Sequence, residues 1–111
     1  MSKYGNKKTT VDGITFDSKL EASRYCELKL LERAGEIHSL QLQPAFELIP
    51  AFTKFGKRYR AVKYVADFAY YDKDGVYTVE DAKGFRTAVY ALKRKLFDYR
   101  YPLTVFKEVT K

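Results

Sequence analysis

The sequence predicts an α/β domain with a mixed, mainly antiparallel central sheet flanked by helices. Three observations predict it. Two helix-forming runs each open on a capping residue, Ser18 and Thr87. Between and after them lie runs rich in Val, Ile, Phe and Tyr, separated by turn signals. The length of 111 residues fits one domain with a modest core.

Met1 to Thr10 (MSKYGNKKTT) reads as a flexible basic arm, which leaves 11–111 as the folded domain. Lys7 and Lys8 in that arm are candidate phosphate contacts. Val11 to Phe16 (VDGITF) predicts a short strand or hairpin edge around Gly13. Ser18-Lys19-Leu20-Glu21 has the form of a capping box, S-x-x-E. A helix is therefore expected from there to about Ala34, with Gly35 as its stop. Ile37 to Pro50 has strand character, and Pro44 divides it or confines it to a sheet edge.

Lys54 to Arg60 (KFGKRYR) carries four positive charges and two aromatic rings in seven residues. It reads as a solvated hairpin loop or as a loop lying along a phosphate backbone, with Lys54, Lys57, Arg58 and Arg60 as the contacts. Ala61 to Tyr71 (AVKYVADFAYY) predicts one strand, and Val76 to Ala82 its return. Thr87 then caps a helix over Ala88 to Arg100, with Val89, Leu92, Leu96 and Tyr99 as the expected core stripe. Arg86, Tyr90, Lys93 and Phe97 make a separate face. Arg86, Lys93 and Arg94 are candidate DNA contacts, and Lys93 is also an accessory candidate at the active site. Pro102 ends the helix, and Leu103 to Val109 adds a last strand.

The net charge of +7 favours a polyanionic partner, nucleic acid or an anionic membrane surface. No apolar run is long enough to span a bilayer, and the N-terminus lacks the apolar stretch of a signal peptide. A cytoplasmic location is expected. The single Cys26 precludes an intramolecular disulfide, and the single His38 has no His or Cys nearby for a zinc site.

The chemistry concentrates on the hairpin. Lys73-Asp74-Gly75 suits a three-residue loop with glycine at the positive-φ position, which pairs Asp72 with Val76. Counting outward sets Asp67 opposite Asp81 on one face. Alternation adds Lys83 to that face and turns Glu80 to the other. An acid inside the apolar run VADFA is expensive without a role. Two close carboxylates repel each other, and a divalent cation with oxygen preference relieves the repulsion. Mg²⁺ is the expected ion, with Mn²⁺ as a substitute. Lys83 beside the acids can hold an attacking water or stabilise charge on a phosphate oxygen.

Asp67, a turn, then Asp81-Ala82-Lys83 resembles the signature of the PD-(D/E)XK nuclease superfamily. There an acid on one strand is followed by Asp/Glu-x-Lys on the next, and a preceding helix commonly supplies a glutamate. Glu21 matches that place, although helix capping also accounts for it. Over nearly its whole length the chain is similar to a family of small phage and prophage proteins of unknown function. KYGNKKT, FDSKLEASRY, YVADF and VEDAKG carry the similarity. That family is grouped with these nucleases, near archaeal-type Holliday junction resolvases. The resemblance implies a restriction-endonuclease-like core. It also implies Asp67, Asp81 and Glu21 as metal ligands and Lys83 as the residue that positions water. Ala66 stands where the superfamily often has proline, and Glu80 is an alternative ligand in another register.

The expected activity is metal-dependent hydrolysis of DNA phosphodiesters, selective for branched structure and without an organic cofactor. Symmetric junction cutting implies a homodimer. The alternatives are a non-catalytic nucleic-acid-binding module and an inactive phage protein of nuclease fold.

Overall fold

The computed structural model describes residues 8–82 and 87–110. In chain order the elements are β1 (Thr9–Val11), β2 (Ile14–Phe16), α1 (Lys19–Arg33), β3 (Ile37–Leu42), β4 (Ala45–Ile49), β5 (Phe52–Lys54), β6 (Lys57–Tyr59), β7 (Val62–Val65), β8 (Phe68–Asp72), β9 (Tyr77–Ala82), α2 (Ala88–Arg100) and β10 (Val105–Val109).

Local chemistry sets most of the boundaries. Ser18 Oγ accepts the N–H of Glu21 at 3.1 Å and starts α1, while Gly35, at φ +81°, lets the chain leave it. Thr87 Oγ1 accepts the N–H of Tyr90 at 3.0 Å and starts α2. Asp12 and Gly13, both at positive φ, turn β1 back into β2. Thr9 and Thr10 thus belong to a hairpin, not to an arm ending at Thr10.

A four-stranded sheet in the order β10-β9-β8-β3 forms the centre. β3, β8 and β9 are antiparallel neighbours, and β10 returns parallel to β9 after α2. The sheet is mixed and mainly antiparallel, as the sequence predicts. Its two faces carry separate cores. On one, Ala22, Tyr25 and Leu28 of α1 pack with Phe16, Ile37, Phe68 and Tyr70. On the other, Tyr90 and Phe97 of α2 pack with Leu48, Tyr64, Ala66, Ala69 and Val79. Alternation along β8 and β9 divides the side chains between these faces.

Two expectations need correction. The run Ala61 to Tyr71 is not one strand. It breaks at Ala66–Asp67, opposite a break in its partner at Gln43–Pro44. Leu42 pairs with Phe68 and Ala45 with Val65 in the same register, so both ladders belong to one bent ribbon. Pro44 has no N–H to give, and Gln43 takes φ +51°. The bend is held by Gln43 N–H to Asp67 O at 2.9 Å and Ala66 N–H to Pro44 O at 3.0 Å. It sets Asp67 in a corner, between the central sheet and the β4–β7 ribbon.

The second correction concerns α2. Val89, Leu92 and Tyr99 are 64%, 58% and 86% exposed, and only Leu96 of the expected stripe packs against the core. The buried face is that of Tyr90 and Phe97. Phe97 lies among the rings of Phe46, Tyr64, Tyr101 and Phe106, with centroids 5.1–6.1 Å away. Two stripes on this helix share helical spacing, and the one with larger rings buries more area.

Among the described residues no helix is long and apolar enough to cross a membrane.

Candidate metal centre

The turn after β8 has the geometry that its residues demand. Asp72 N–H donates to Val76 O at 3.0 Å, Gly75 N–H donates to Asp72 O at 3.0 Å, and Gly75 takes φ +81°. The ladder then runs from Tyr71–Tyr77 to Phe68–Glu80. One step further, Asp67 comes opposite Asp81. Asp67 lies just before β8, so its side chain leaves the ladder, and its Oδ2 accepts the N–H of Ala82 at 2.7 Å.

Asp81 is buried, and the Tyr64 hydroxyl donates to its Oδ2. Burial is the main cause that pushes the Asp67 carboxyl up to about 8. A hydrogen bond with Asp81 and the Asp81 charge add to it, the Ala82 N–H opposes it, and the Glu21 charge raises it further. Burial and the neighbouring acid thus both disfavour the charged form of Asp67. Burial and the bond to Asp81 push the Tyr64 hydroxyl far up as well, so it remains a donor.

Glu21, in the first turn of α1, is buried. With Asp67 it lines a cleft of about 180 Å³ whose other walls are Ile14, Thr15, Phe16, Leu42 and Gln43. The β1–β2 hairpin, the N-terminal end of α1 and the bend in the ribbon build this cleft together. Among the described residues no three His, Cys, Asp or Glu side chains form a ready-made metal cage. Asp67 and Asp81 meet as a pair, and Glu21 faces Asp67 within the cleft.

Glu80 is engaged elsewhere. It is fully buried on the α1 side of β9, where Arg24 Nε and Nη2 each donate to its carboxylate at 2.7 Å and Tyr70 adds a third donor. That fork–fork pair neutralises Glu80 and turns it away from Asp81. The alternative in which Glu80 is the ligand has no support in this register.

The basic candidates separate into groups. Lys7, Lys83 and Arg86 lie outside the described residues. Lys8 is exposed, as are Lys54, Lys57, Arg58 and Arg60 around the β5–β6 hairpin. Lys93 is half-buried. Arg94 is engaged within the fold. Its guanidinium lies 3.9 Å from the Phe106 ring centroid and within 3.2 Å of Asp98 and 3.8 Å of Glu108. A cation stacked on a ring between two acids binds β10 to α2.

Two residues near the acids escape sequence reasoning. Tyr64 is the donor to Asp81, and it looks like ordinary strand material. Glu108 pairs in register with Asp81 across the parallel ladder, with Tyr90 Oη donating to it at 2.5 Å. Glu108 on β10 thus lies beside Asp81 on β9, on the side away from Asp67, which precedes β8. An acid next to last in a strand-like run gives no signal until the parallel pairing is known.

No curated protein matches this chain, and no solved structure matches it either. The family described as "Protein of unknown function (DUF1064)" matches residues 1–111, and the chain belongs to that family.

Proposed function

We propose that the chain is a metal-dependent DNA endonuclease of the PD-(D/E)XK type, acting on branched DNA. The observation that carries this reading is the pairing of Asp67 with Asp81 across the β8–β9 turn, with Glu21 in the same cleft. Two acids held together in a half-buried site destabilise each other. That the fold keeps them so, with a donor to each, supports a cation between them. The order of α1, then the acid before β8, then Asp81 on β9 is that implied by the superfamily resemblance. The mixed sheet with a helix on each face suits a restriction-endonuclease-like core.

The donor set fits a hard divalent ion. Mg²⁺ takes oxygen ligands, keeps several waters and commonly needs only one or two carboxylates. Asp67 and Asp81 would hold it, and Glu21 would complete the shell directly or through water. When bound, such an ion supplies charge neutralisation and an activated water for phosphodiester hydrolysis. The residues prepare the rest. Ala82 N–H and the Tyr64 hydroxyl fix the two carboxylates before substrate arrives. Lys83, two positions after Asp81 in the sequence, would orient the water and offset charge on the scissile phosphate. The net charge of +7 favours approach to the DNA backbone, and recognition by shape and phosphate fits the absence of any base-reading motif in the sequence. Paired incisions in a junction would need a homodimer.

The test is cleavage of labelled four-way junction, flap, duplex and single-stranded DNA with Mg²⁺, Mn²⁺ or EDTA. Cation-dependent cutting with a preference for branched DNA supports the proposal. Cutting that persists in EDTA, or no cutting of any substrate, removes it.

A further inference from the structure

The β5–β6 hairpin makes no obvious contribution to either core. Every residue from Ile49 to Arg60 is exposed, and the two strands pair only with each other. Its composition is one-sided. From Leu48 to Ala66 the chain has five basic residues, Lys54, Lys57, Arg58, Arg60 and Lys63, and no acid. Among the described residues none of the four in the hairpin segment pairs with a carboxylate.

The register sorts these side chains. Phe52 pairs with Tyr59 and Lys54 with Lys57, so all four share one face, while Thr53 and Arg58 share the other. The Phe52 and Tyr59 rings are stacked, with centroids 4.7 Å apart and planes 9° from parallel. Two lysines directly opposed across a ladder repel each other in the free protein.

The tip is the least expected part. Phe55 and Gly56 make a two-residue turn with φ of +49° and +77°. Such a turn favours Asn or Gly at its first position, because a bulky side chain at positive φ is strained. Phe55 occupies that position and is 97% exposed. The ring belongs to neither core, and within the hairpin Lys54 Nζ lies over it, 5.6 Å from the centroid. A strained, exposed aromatic at the tip of a basic ribbon is the arrangement expected of a side chain that stacks on a partner.

We propose that the β5–β6 hairpin is a nucleic-acid-engaging arm in which Phe55 stacks on an unpaired base while Lys54 and Lys57 contact the flanking phosphates. A base inside a paired duplex has both faces covered by neighbours. A base at a branch point, a fork or a frayed end offers a face. Aromatic stacking is indifferent to base identity, so the arm selects for structure, not sequence. This inference rests on the nuclease reading for the identity of the natural substrate. Binding by the arm needs neither metal nor cleavage, so the two can fail separately.

The chain has no tryptophan, which makes Phe55→Trp a single fluorescent reporter at the tip. Its emission would be measured in EDTA with forked DNA carrying unpaired bases, with blunt fully paired duplex, and with anionic phospholipid vesicles. The arm predicts strong quenching by the fork and little by the duplex. Phe55→Asn removes the ring and suits the turn better. It should raise the melting temperature while weakening binding to the fork by roughly 5- to 150-fold, the range expected for losing one stacked base. Equal quenching by duplex and fork, no response to DNA, or a blue-shifted response to vesicles alone would overturn the proposal. So would unchanged fork affinity in Phe55→Asn. Metal-dependent cleavage by a chain whose Phe55 variants bind normally would leave the nuclease and remove the arm. Fork-selective quenching in a chain that never cuts would leave the arm and remove the nuclease.

Discussion

Asp67 Oδ2 accepts the backbone N–H of Ala82 at 2.7 Å, so the acid before β8 is fixed to the residue that follows Asp81 on β9. This bond joins the two halves of the candidate centre without help from any other element. It also places Asp67 where burial and the Asp81 charge both resist its ionisation.

That resistance has a sign. Folded Asp67 keeps its proton up to about 8, whereas an unfolded aspartate loses it near 4. Between those values the folded chain binds more protons, so metal-free stability should fall as pH rises through that window. Asp67→Asn keeps an acceptor for Ala82 and removes the titrating group. It should flatten the pH dependence and stabilise the metal-free chain at neutral pH by about 1–2 kcal/mol after solvent screening. Thermal melts from pH 5 to 8 in EDTA check this. A wild-type chain that gains stability over that range would contradict it.

Mn²⁺ or Mg²⁺ should raise the melting temperature of the wild type at neutral pH, since a ligand for the folded state alone stabilises it. The same ions should leave Asp67→Asn and Asp81→Asn almost unmoved. Calorimetric titration of Mn²⁺ provides the direct reading. Equal affinity in all three proteins would place the ion elsewhere.

Glu80 and Asp81 are neighbours with opposite duties. Arg24→Ala leaves Glu80 buried with Tyr70 as its main donor and should cost about 3–5 kcal/mol, as broken buried pairs do. Replacing both partners by methionine should recover much of that loss, and cleavage should survive in the double variant. Denaturant titration beside a cleavage assay separates the outcomes. Loss of cleavage in a folded double variant would give Glu80 a direct part in the chemistry.

Glu21 can be separated from the cap. Ser18 Oγ holds the Glu21 N–H, so Glu21→Gln leaves that bond in place. Cleavage should drop by at least about tenfold with stability nearly unchanged. Ser18→Ala should instead cost about 1 kcal/mol and spare the activity of the folded protein. The reverse pattern would reduce Glu21 to a helix residue.

Much of this arrangement was legible in the sequence because short-range rules fix it. A three-residue turn ending in Gly75 sets a register, and the register alone brings Asp67 to Asp81. Ser18 and Thr87 declare their helices by chemistry within three residues. What stayed hidden depends on pairing over long range. The bend at Asp67 arises from Pro44, which matters only once that strand is known to lie opposite. Glu108 comes beside Asp81 only through a parallel pairing. The buried face of α2 is not legible because Val89-Leu92-Leu96 and Tyr90-Phe97 have the same periodicity, and contact with Phe46, Tyr64 and Phe106 decides between them.

The most direct measurement compares wild type with Asp81→Ala and Lys83→Ala on a labelled four-way junction in Mg²⁺, Mn²⁺ and EDTA. The proposed centre predicts cation-dependent cutting that falls at least about 100-fold in each variant while junction binding persists. Cutting retained in both variants, or none by the wild type under any cation, would contradict it.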